Sequence, residues 1–115
     1  MHELSIALSI LDVVEEEAQH HGEARVAAVY LKLGPLSGVV KESLLAAFEL
    51  AREGTALQAC QLFIEEVPIV VNCPVCGVKR SIASMQQMFC PVCATATADV
   101  VSGREMEVTA MELCS

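Results

Sequence analysis

Apolar residues recur at helical spacing in two stretches of the chain, and each stretch is followed by a glycine that is a typical helix stop. The first precedes Gly22, and its apolar residues are Leu4, Leu8, Leu11 and Ala18, with Ile6, Ile10 and Val13 widening the face. The second runs from about Val40 to Glu53 before Gly54, and its stripe consists of Val40, Leu44, Ala47, Phe48 and Ala51. Two amphipathic helices are predicted.

Strand-like patterns occupy three other stretches. Val29, Leu31 and Leu33 alternate with polar neighbours, which is the period of a half-buried strand, and "GPLSG" (34–38) then predicts a loop. The stretch 60–71 is also strand-like, with Pro68 indicating an edge strand or a bulge. The alternation in "REMEVTAMEL" (104–113) predicts a last strand that returns to the first sheet. The segment 72–103 would then be an insertion between two strands of the main domain.

Composition and charge narrow the functional classes. The chain has 115 residues, 54% of them hydrophobic, which predicts one compact domain plus a small subdomain. Fifteen Asp and Glu against seven Lys and Arg give a formal net charge of -8, and the only tight basic pair is Lys79 and Arg80. Such a charge repels a phosphate backbone, so nucleic-acid binding is disfavoured.

Neither a membrane span nor a signal peptide is predicted. No apolar run reaches the roughly 18 residues that a bilayer span needs. The apolar start has no Lys or Arg before it, carries Glu3 and Asp12, and is followed by no A-x-A site. We therefore expect a cytoplasmic protein without membrane contact, whose paired cysteines hold a metal rather than form disulfides.

Two "CPVC" units carry the strongest chemical signal. Cys73 and Cys76 are followed, after thirteen intervening residues, by Cys90 and Cys93. Two such pairs complete a tetrahedron of thiolates with no open coordination position, which predicts a structural zinc site. The alternative of two redox C-x-x-C motifs would require a helix start in a βαβ unit, and these pairs lie in a loop-rich segment.

The residue after each cysteine pair and the two cysteines outside the pairs can also be interpreted. Gly77 follows the first pair, where a knuckle often needs a positive φ, but Ala94 follows the second, and alanine in that conformation costs about 1 kcal/mol. Cys60 is expected to be a buried small hydrophobe and Cys114 an exposed thiol.

The first two residues carry three nitrogen donors, provided that Met1 is retained, and a bulky His2 should block its removal. The donors are the Met1 α-amine, the His2 backbone nitrogen and the His2 imidazole, which close a five- and a six-membered chelate suited to square-planar Ni(II), although Cu(II) would bind as well or better. Glu3 or another donor would take the fourth place. Composition and spacing alone nevertheless favour an ordinary exposed histidine, with Glu3 complementing the helix dipole. His20 and His21 are weaker candidates as ligands.

The order of several segments resembles a known family. "MHELSIA", "GPLSGV", "AAFELAREGT", "LFIEEVP", the two C-x-x-C pairs and "SGREMEV" together resemble the HypA/HybF family of hydrogenase-maturation nickel metallochaperones over nearly the whole chain. The resemblance implies an α+β fold with a small, mostly antiparallel sheet and two helices, plus an inserted zinc-ribbon-like domain with four cysteine ligands. The nickel domain would span 1–70 and 104–115, and the zinc domain 71–103.

The same resemblance implies the metals and partners. Nickel as cargo would bind through Met1, His2 and Glu3, and structural zinc through Cys73, Cys76, Cys90 and Cys93. The expected partners are a HypB-type GTPase and the large subunit of a [NiFe] hydrogenase, and some relatives also serve urease maturation. The sequence leaves open whether the protein is a monomer or a homodimer.

Two other functional classes compete with a nickel carrier. One is a zinc-ribbon module that binds nucleic acid or transcription proteins, which the net charge and the scarce aromatic residues disfavour. The other is a thiol oxidoreductase. An enzyme of another kind is not expected, because the sequence has no Gly-rich phosphate loop and no Ser/His/Asp or Cys/His set at suitable spacing. The run 15–17 of three glutamates is read as a solvated helix face.

Overall fold

The computed structural model describes residues 3–22 and 25–114 of the chain. Its elements in chain order are α1 (Glu3–His20), β1 (Arg25–Leu33), a 3-10 turn (Pro35–Ser37), α2 (Lys41–Arg52), β2 (Gln61–Glu66), β3 (Ile69–Asn72), β4 (Lys79–Ile82), β5 (Val100–Ser102) and β6 (Met106–Cys114). The strands form two three-stranded sheets, in the orders β2-β1-β6 and β4-β3-β5. The α+β class, with two helices, small sheets and a unit that carries four clustered cysteines, is confirmed.

Helix α1 forms as predicted, but only part of its predicted apolar face is buried. Its buried residues are Ile6, Ala7, Ile10, Leu11, Val14 and Ala18. Leu4, Leu8 and Val13, which the sequence placed on the apolar face, are each more than 40% exposed. Two apolar sets overlap along this helix, and the core contains Ala7 and Val14 in place of Leu4, Leu8 and Val13. The prediction that Leu4, Leu8 and Val13 belong to the buried face is therefore wrong, whereas that for Ile6, Ile10, Leu11 and Ala18 is confirmed.

The first compact unit contains both helices. It comprises the chain up to Leu31, Val39–Glu65 and the segment from Glu107 on. Leu44 and Phe48 of α2 are fully buried and pack in one cluster with α1 and with Val29 and Leu31 of β1. Val40, predicted to belong to the α2 stripe, lies just before the helix and is half exposed. Strand β6 lies beside β1, as the alternation of its sequence predicted.

The two cysteines outside the pairs lie as expected. Cys60 is fully buried in the first core, where burial raises the pKa of its thiol above the ordinary value, and the Arg52 guanidinium donates a hydrogen bond to its carbonyl. Cys114 is exposed at the end of β6.

The strand-like stretch 60–71 proves to be two strands in different sheets. β2 ends at Glu66 and β3 begins at Ile69, so Pro68 lies in neither strand, because a residue without an N–H cannot continue a ladder. The expected edge-strand or bulge position of Pro68 is therefore wrong. An irregularity does occur two residues later, where the register of β3 against β5 shifts between Val70 and Val71.

The second compact unit comprises Lys32–Gly38 and Glu66–Met106. β3 lies at the centre of its antiparallel sheet, and Ile69, Val71 and Ile82 form a small core, against which Leu36, Met88 and Val100 pack. The short strands β4 and β5 were not predicted. The boundaries of a nickel domain and a zinc domain stay a prediction, since compact units do not by themselves define metal-binding domains.

Within the described residues 3–22 and 25–114, no helix combines the length and the apolar character needed to cross a membrane.

Candidate metal centre

The two "CPVC" units fold into equivalent turns. In the first, Gly77 N–H donates to the Cys73 carbonyl at 2.9 Å; in the second, Ala94 N–H donates to the Cys90 carbonyl at 2.8 Å. The strand residues that flank each turn also correspond, because Asn72 pairs with Lys79 and Phe89 with Ala96. The turns are thus two copies of one local structure, and in each the first cysteine is the more buried of the pair.

Both turns require a left-handed residue after the second cysteine. Gly77 has a φ of 69° and Ala94 a φ of 61°, and Ala94 is the only non-glycine residue with positive φ among the described residues. Ala94 thus adopts the same left-handed conformation as Gly77, although it is not a glycine. A side chain in this conformation costs on the order of 1 kcal/mol, so the second turn is held in place against a local preference.

The four sulfur atoms come together as a tetrad. All four Sγ atoms lie within 4.8 Å of one another; Cys73 and Cys93 are 3.5 Å apart, and Cys76 and Cys90 are 3.9 Å apart. Four sulfurs bonded at about 2.3 Å to a tetrahedral metal are separated by about 3.8 Å. The donor set is soft and its spacing fits such an ion without rearrangement of the backbone. The four residues could therefore hold a metal such as zinc.

Local hydrogen bonds shift the pKa values of Cys76, Cys90 and Cys93 in different directions. The hydroxyl of Thr95, followed by its backbone N–H, lowers the pKa of Cys93 to about 6, and the backbone N–H of Cys93 lowers the pKa of Cys90. A hydrogen bond from Arg80 lowers the pKa of Cys76, but hydrogen bonds with Cys93 and Cys73 outweigh it, and the pKa is raised to about 11. Four thiolates at this spacing repel one another, so a divalent cation is needed before the last proton leaves.

A polar network links the two turns within the second unit. Thr97, a buried polar residue, donates its hydroxyl proton to the carbonyl of Asn72 at 2.8 Å, which places the segment after the second turn against the residue before Cys73. The side-chain amide of Asn72 in turn donates to the carboxylate of Asp99 at 3.1 Å. Sequence reasoning missed Arg80, Thr95 and Thr97. The position of Thr95 and Thr97 just after the second pair was the available signal.

The structure describes only one of the three residues predicted to bind nickel. Met1 and His2 lie outside the described residues, and Glu3 is the partly buried first residue of α1. His20 and His21 are exposed, and each has an imidazole nitrogen within 4.0 Å of the Glu17 carboxylate. In the part of the chain that the structure describes, the four cysteines are the one group of three or more such side chains close enough to share an ion.

The fold and the tetrad define a class: a small α+β metal-binding protein with a zinc-ribbon-like unit built around four cysteines. A family model described as "Hydrogenase/urease nickel incorporation, metallochaperone, hypA" matches residues 1–113. The chain belongs to this HypA family, as the order of its sequence motifs suggested.

Relatives and solved structures agree with this assignment. The chain is 45% identical over 112 residues to a hydrogenase maturation factor HypA from Roseiflexus sp. (strain RS-1), covering 97% of this chain and 91% of the relative. It is 42% identical to a protein of the same name from Chloroflexus aurantiacus, and the match covers 97% of this chain and 98% of the relative. The solution structure of the Ni metallochaperone HypA from Helicobacter pylori superposes on this chain with a TM-score of 0.65, over 98% of this chain and 97% of that one. The two sequences are 24% identical, and the two chains share the fold.

Proposed function

We propose that this protein is a nickel metallochaperone, which binds Ni(II) at its N-terminus and delivers it to the large subunit of a [NiFe] hydrogenase during maturation. The observation that carries the proposal is the family match over residues 1–113, together with a cysteine tetrad of metal-binding geometry. We infer that it acts as a carrier, without catalysis of its own, in the cytoplasm, where a reducing environment keeps the tetrad free of disulfides.

Nickel would be held by Met1, His2 and Glu3. The α-amine of Met1 and the backbone nitrogen of His2 close one chelate ring, and that nitrogen and the imidazole Nδ1 close a second, which gives three in-plane nitrogen donors. Glu3, through its backbone or its carboxylate, would supply the fourth donor. Support comes from α1, which begins at Glu3 and has Ile6 and Ala7 buried in its next turn. The donors therefore directly precede a helix fixed in the core.

Such a site suits a cargo that is loaded and released. Binding requires loss of protons from the amine and from the amide, so acidification favours release of nickel. The open faces of a square-planar ion also allow a donor from another protein to enter. We infer that a HypB-type GTPase takes part in loading, and that the hydrogenase large subunit accepts the ion. Urease maturation proteins would be alternative acceptors.

Zinc in the tetrad would have a structural role. Cys73, Cys76, Cys90 and Cys93 would occupy all four positions of the ion, which leaves none for a substrate. Among the described residues, the apolar cluster of the second unit has three buried members, Ile69, Val71 and Ile82, so metal binding would supply folding free energy that so small a cluster does not. A zinc ribbon that binds nucleic acid is disfavoured by the net charge of -8.

Nickel titration of protein with a native N-terminus tests the proposal. We expect one nickel per chain, lost on His2→Ala and on acetylation of the Met1 α-amine, since each change removes one donor and its chelate ring. His20→Ala and His21→Ala are matched controls that remove a histidine elsewhere and should leave binding unchanged. Binding that survives both N-terminal changes would overturn the site. X-ray absorption at the nickel edge would report the number and type of donors.

Delivery is tested separately. Nickel-loaded protein should activate a nickel-free hydrogenase large subunit faster than an equal concentration of free Ni(II) in the presence of a competing chelator. Equal rates would contradict the assigned role as a carrier even if the nickel site were correct.

A further inference from the structure

The register of β3 against β4 places Arg80 on the inner face of the second sheet. Ile69 pairs with Ile82 and Val71 with Arg80, and residues directly opposite in an antiparallel pair lie on the same face. Ile69, Val71 and Ile82 form the core of this unit, so Arg80 points to the same side as the core. Its neighbours Lys79 and Ser81 lie on the other face and are exposed.

Arg80 contacts one cysteine from each turn. The thiols of Cys76 and Cys90, which belong to different "CPVC" units, raise the pKa of the Arg80 guanidinium by hydrogen bonding and charge. The Nε atom of the same side chain is buried and has no hydrogen-bond partner among the described residues. A cationic side chain with a buried, unsatisfied nitrogen is costly unless a compensating negative charge lies beside it. Thiolates of a metal-loaded tetrad would provide that charge.

The charge of a metal-loaded tetrad explains why a cation would lie there. Four thiolates bound to one divalent ion carry two negative charges in excess, in a region where water is partly excluded. Arg80 stays protonated at every relevant pH, so it cancels one of these charges. Its hydrogen bonds also withdraw electron density from the two sulfurs, because a charge-assisted hydrogen bond is stronger than a neutral one. Both effects favour the metal-bound state over the metal-free state.

We propose that Arg80 is a positioning residue for the metal centre, which cancels one excess negative charge of the loaded tetrad at Cys76 and Cys90, joins the two turns, and slows the loss of the metal. This inference rests on the proposed assignment of zinc to the four cysteines. It adds a fifth residue to the centre, outside the C-x-x-C motifs. Disruption of an outer-shell partner of a metal ligand typically costs about 10- to 100-fold in metal affinity.

The first measurement is zinc release to a chromophoric chelator, 4-(2-pyridylazo)resorcinol. Arg80→Gln should release zinc about 10- to 100-fold faster than the wild type. Arg80→Lys keeps the positive charge but lacks the planar guanidinium, so it should release zinc at a rate between those of the wild type and Arg80→Gln. The matched control is Lys79→Gln, which removes the same charge from the adjacent residue on the exposed face and should leave the rate unchanged. Equal rates for Arg80→Gln and Lys79→Gln would overturn the proposal.

Cobalt substitution separates an electronic effect from a loss of folding. In the Co(II) form, the sulfur-to-cobalt charge-transfer band should move to longer wavelength in Arg80→Gln, because the sulfur lone pairs are no longer stabilised by the guanidinium. A purely structural role of Arg80 would accelerate release without moving the band, and that result would contradict the proposal. If Arg80→Gln binds no metal, an Arg80→Lys variant that binds metal with the wild-type band position supports the proposal. If neither variant binds metal, the positive charge of Arg80 is not what the centre requires, and the proposal is contradicted.

Different results would contradict zinc in the tetrad and the role of Arg80. Wild-type protein without zinc, or without a tetrahedral thiolate spectrum after cobalt loading, would contradict the assignment of the tetrad itself. Wild-type protein with both properties, and an Arg80→Gln variant that matches it in rate and spectrum, would contradict only the role of Arg80.

Discussion

The backbone of Gly34 lies so close to that of Gly103 that a Cβ atom at position 34 would come within 2.1 Å of the Gly103 carbonyl oxygen. The same carbonyl accepts a hydrogen bond from Leu36 N–H at 2.8 Å, and Gly34 N–H donates to the Glu105 carbonyl at 2.8 Å. The φ of Gly34 is -102°, an ordinary value for any residue. Close approach of two backbones, rather than backbone conformation, therefore requires a glycine here.

Gly34→Ala should destabilise the second unit by about 3 kcal/mol, because the new methyl group meets backbone atoms that cannot move aside. The effect is measured by unfolding the zinc-loaded protein in urea, with the release of zinc as the signal that reports unfolding of the second unit. Gly38→Ala, at the other end of the 3-10 turn, is the control: it has a φ of 80° and open space around it, so only about 1 kcal/mol is expected. Similar losses for the two variants would contradict the steric explanation.

Ala94→Gly should stabilise the second cysteine turn by about 1 kcal/mol, because glycine adopts the positive φ of this position without strain. Gly77→Ala, at the equivalent position of the first turn, should cost a similar amount. Both changes are measured as free energies of unfolding of the zinc-loaded protein. Opposite signs are expected for the two variants, and a destabilising Ala94→Gly would show that the turns are not equivalent.

Removal of zinc should unfold the second unit and leave the helices intact. Both α1 and α2 lie in the first unit, with a core of their own, whereas the second unit depends on the tetrad. Circular dichroism at 222 nm should therefore change little on chelation, while amide protection in β3 and β4 is lost. Cys73→Ser should reproduce this result, and Cys114→Ser, at an exposed thiol outside the tetrad, should not. A cooperative loss of the helical signal would contradict the independence of the first core.

Tyr30 should ionise above its ordinary pKa of 10.0. Desolvation raises the pKa, and the hydroxyl also donates its proton to the Glu112 carboxylate at 3.2 Å, so ionisation would place a phenolate beside a negative charge. The chain has one tyrosine, so absorbance at 295 nm follows this group alone. Glu112→Gln should lower the midpoint, whereas Glu107→Gln on the same strand should not. A midpoint that is the same in all three proteins would exclude the role of Glu112.

The sequence predicted the features whose signals are periodic or have fixed spacing. Both helices, the return of β6 to the first sheet and the clustering of four cysteines follow from such patterns. The positive φ of Ala94 was also accessible, because the two "CPVC" units repeat and Gly77 occupies the corresponding place in the first. Local geometry is repeated where the sequence is repeated.

Other features depend on partners distant in sequence. β4 and β5 have four and three residues, too few to show a period, and pairing with β3 determines them. The buried face of α1 could not be chosen from two overlapping apolar sets without the surface against which it packs. Arg80 looked like half of a surface basic pair, and only its register opposite Val71 separates it from Lys79. Met1 and His2 lie outside the described residues, so the nickel site stays a prediction.

The position of β6 also affects the order in which the protein can fold during synthesis. The first sheet needs this strand beside β1, yet Met106–Cys114 follow every residue of β3, β4, β5 and the two cysteine turns. A ribosome therefore delivers the cysteine tetrad before the third strand of the first sheet, and domains generally fold as units while synthesis proceeds. The first sheet can thus be completed only after β6 has been made, whereas every strand of the second sheet precedes β6 in the order of synthesis.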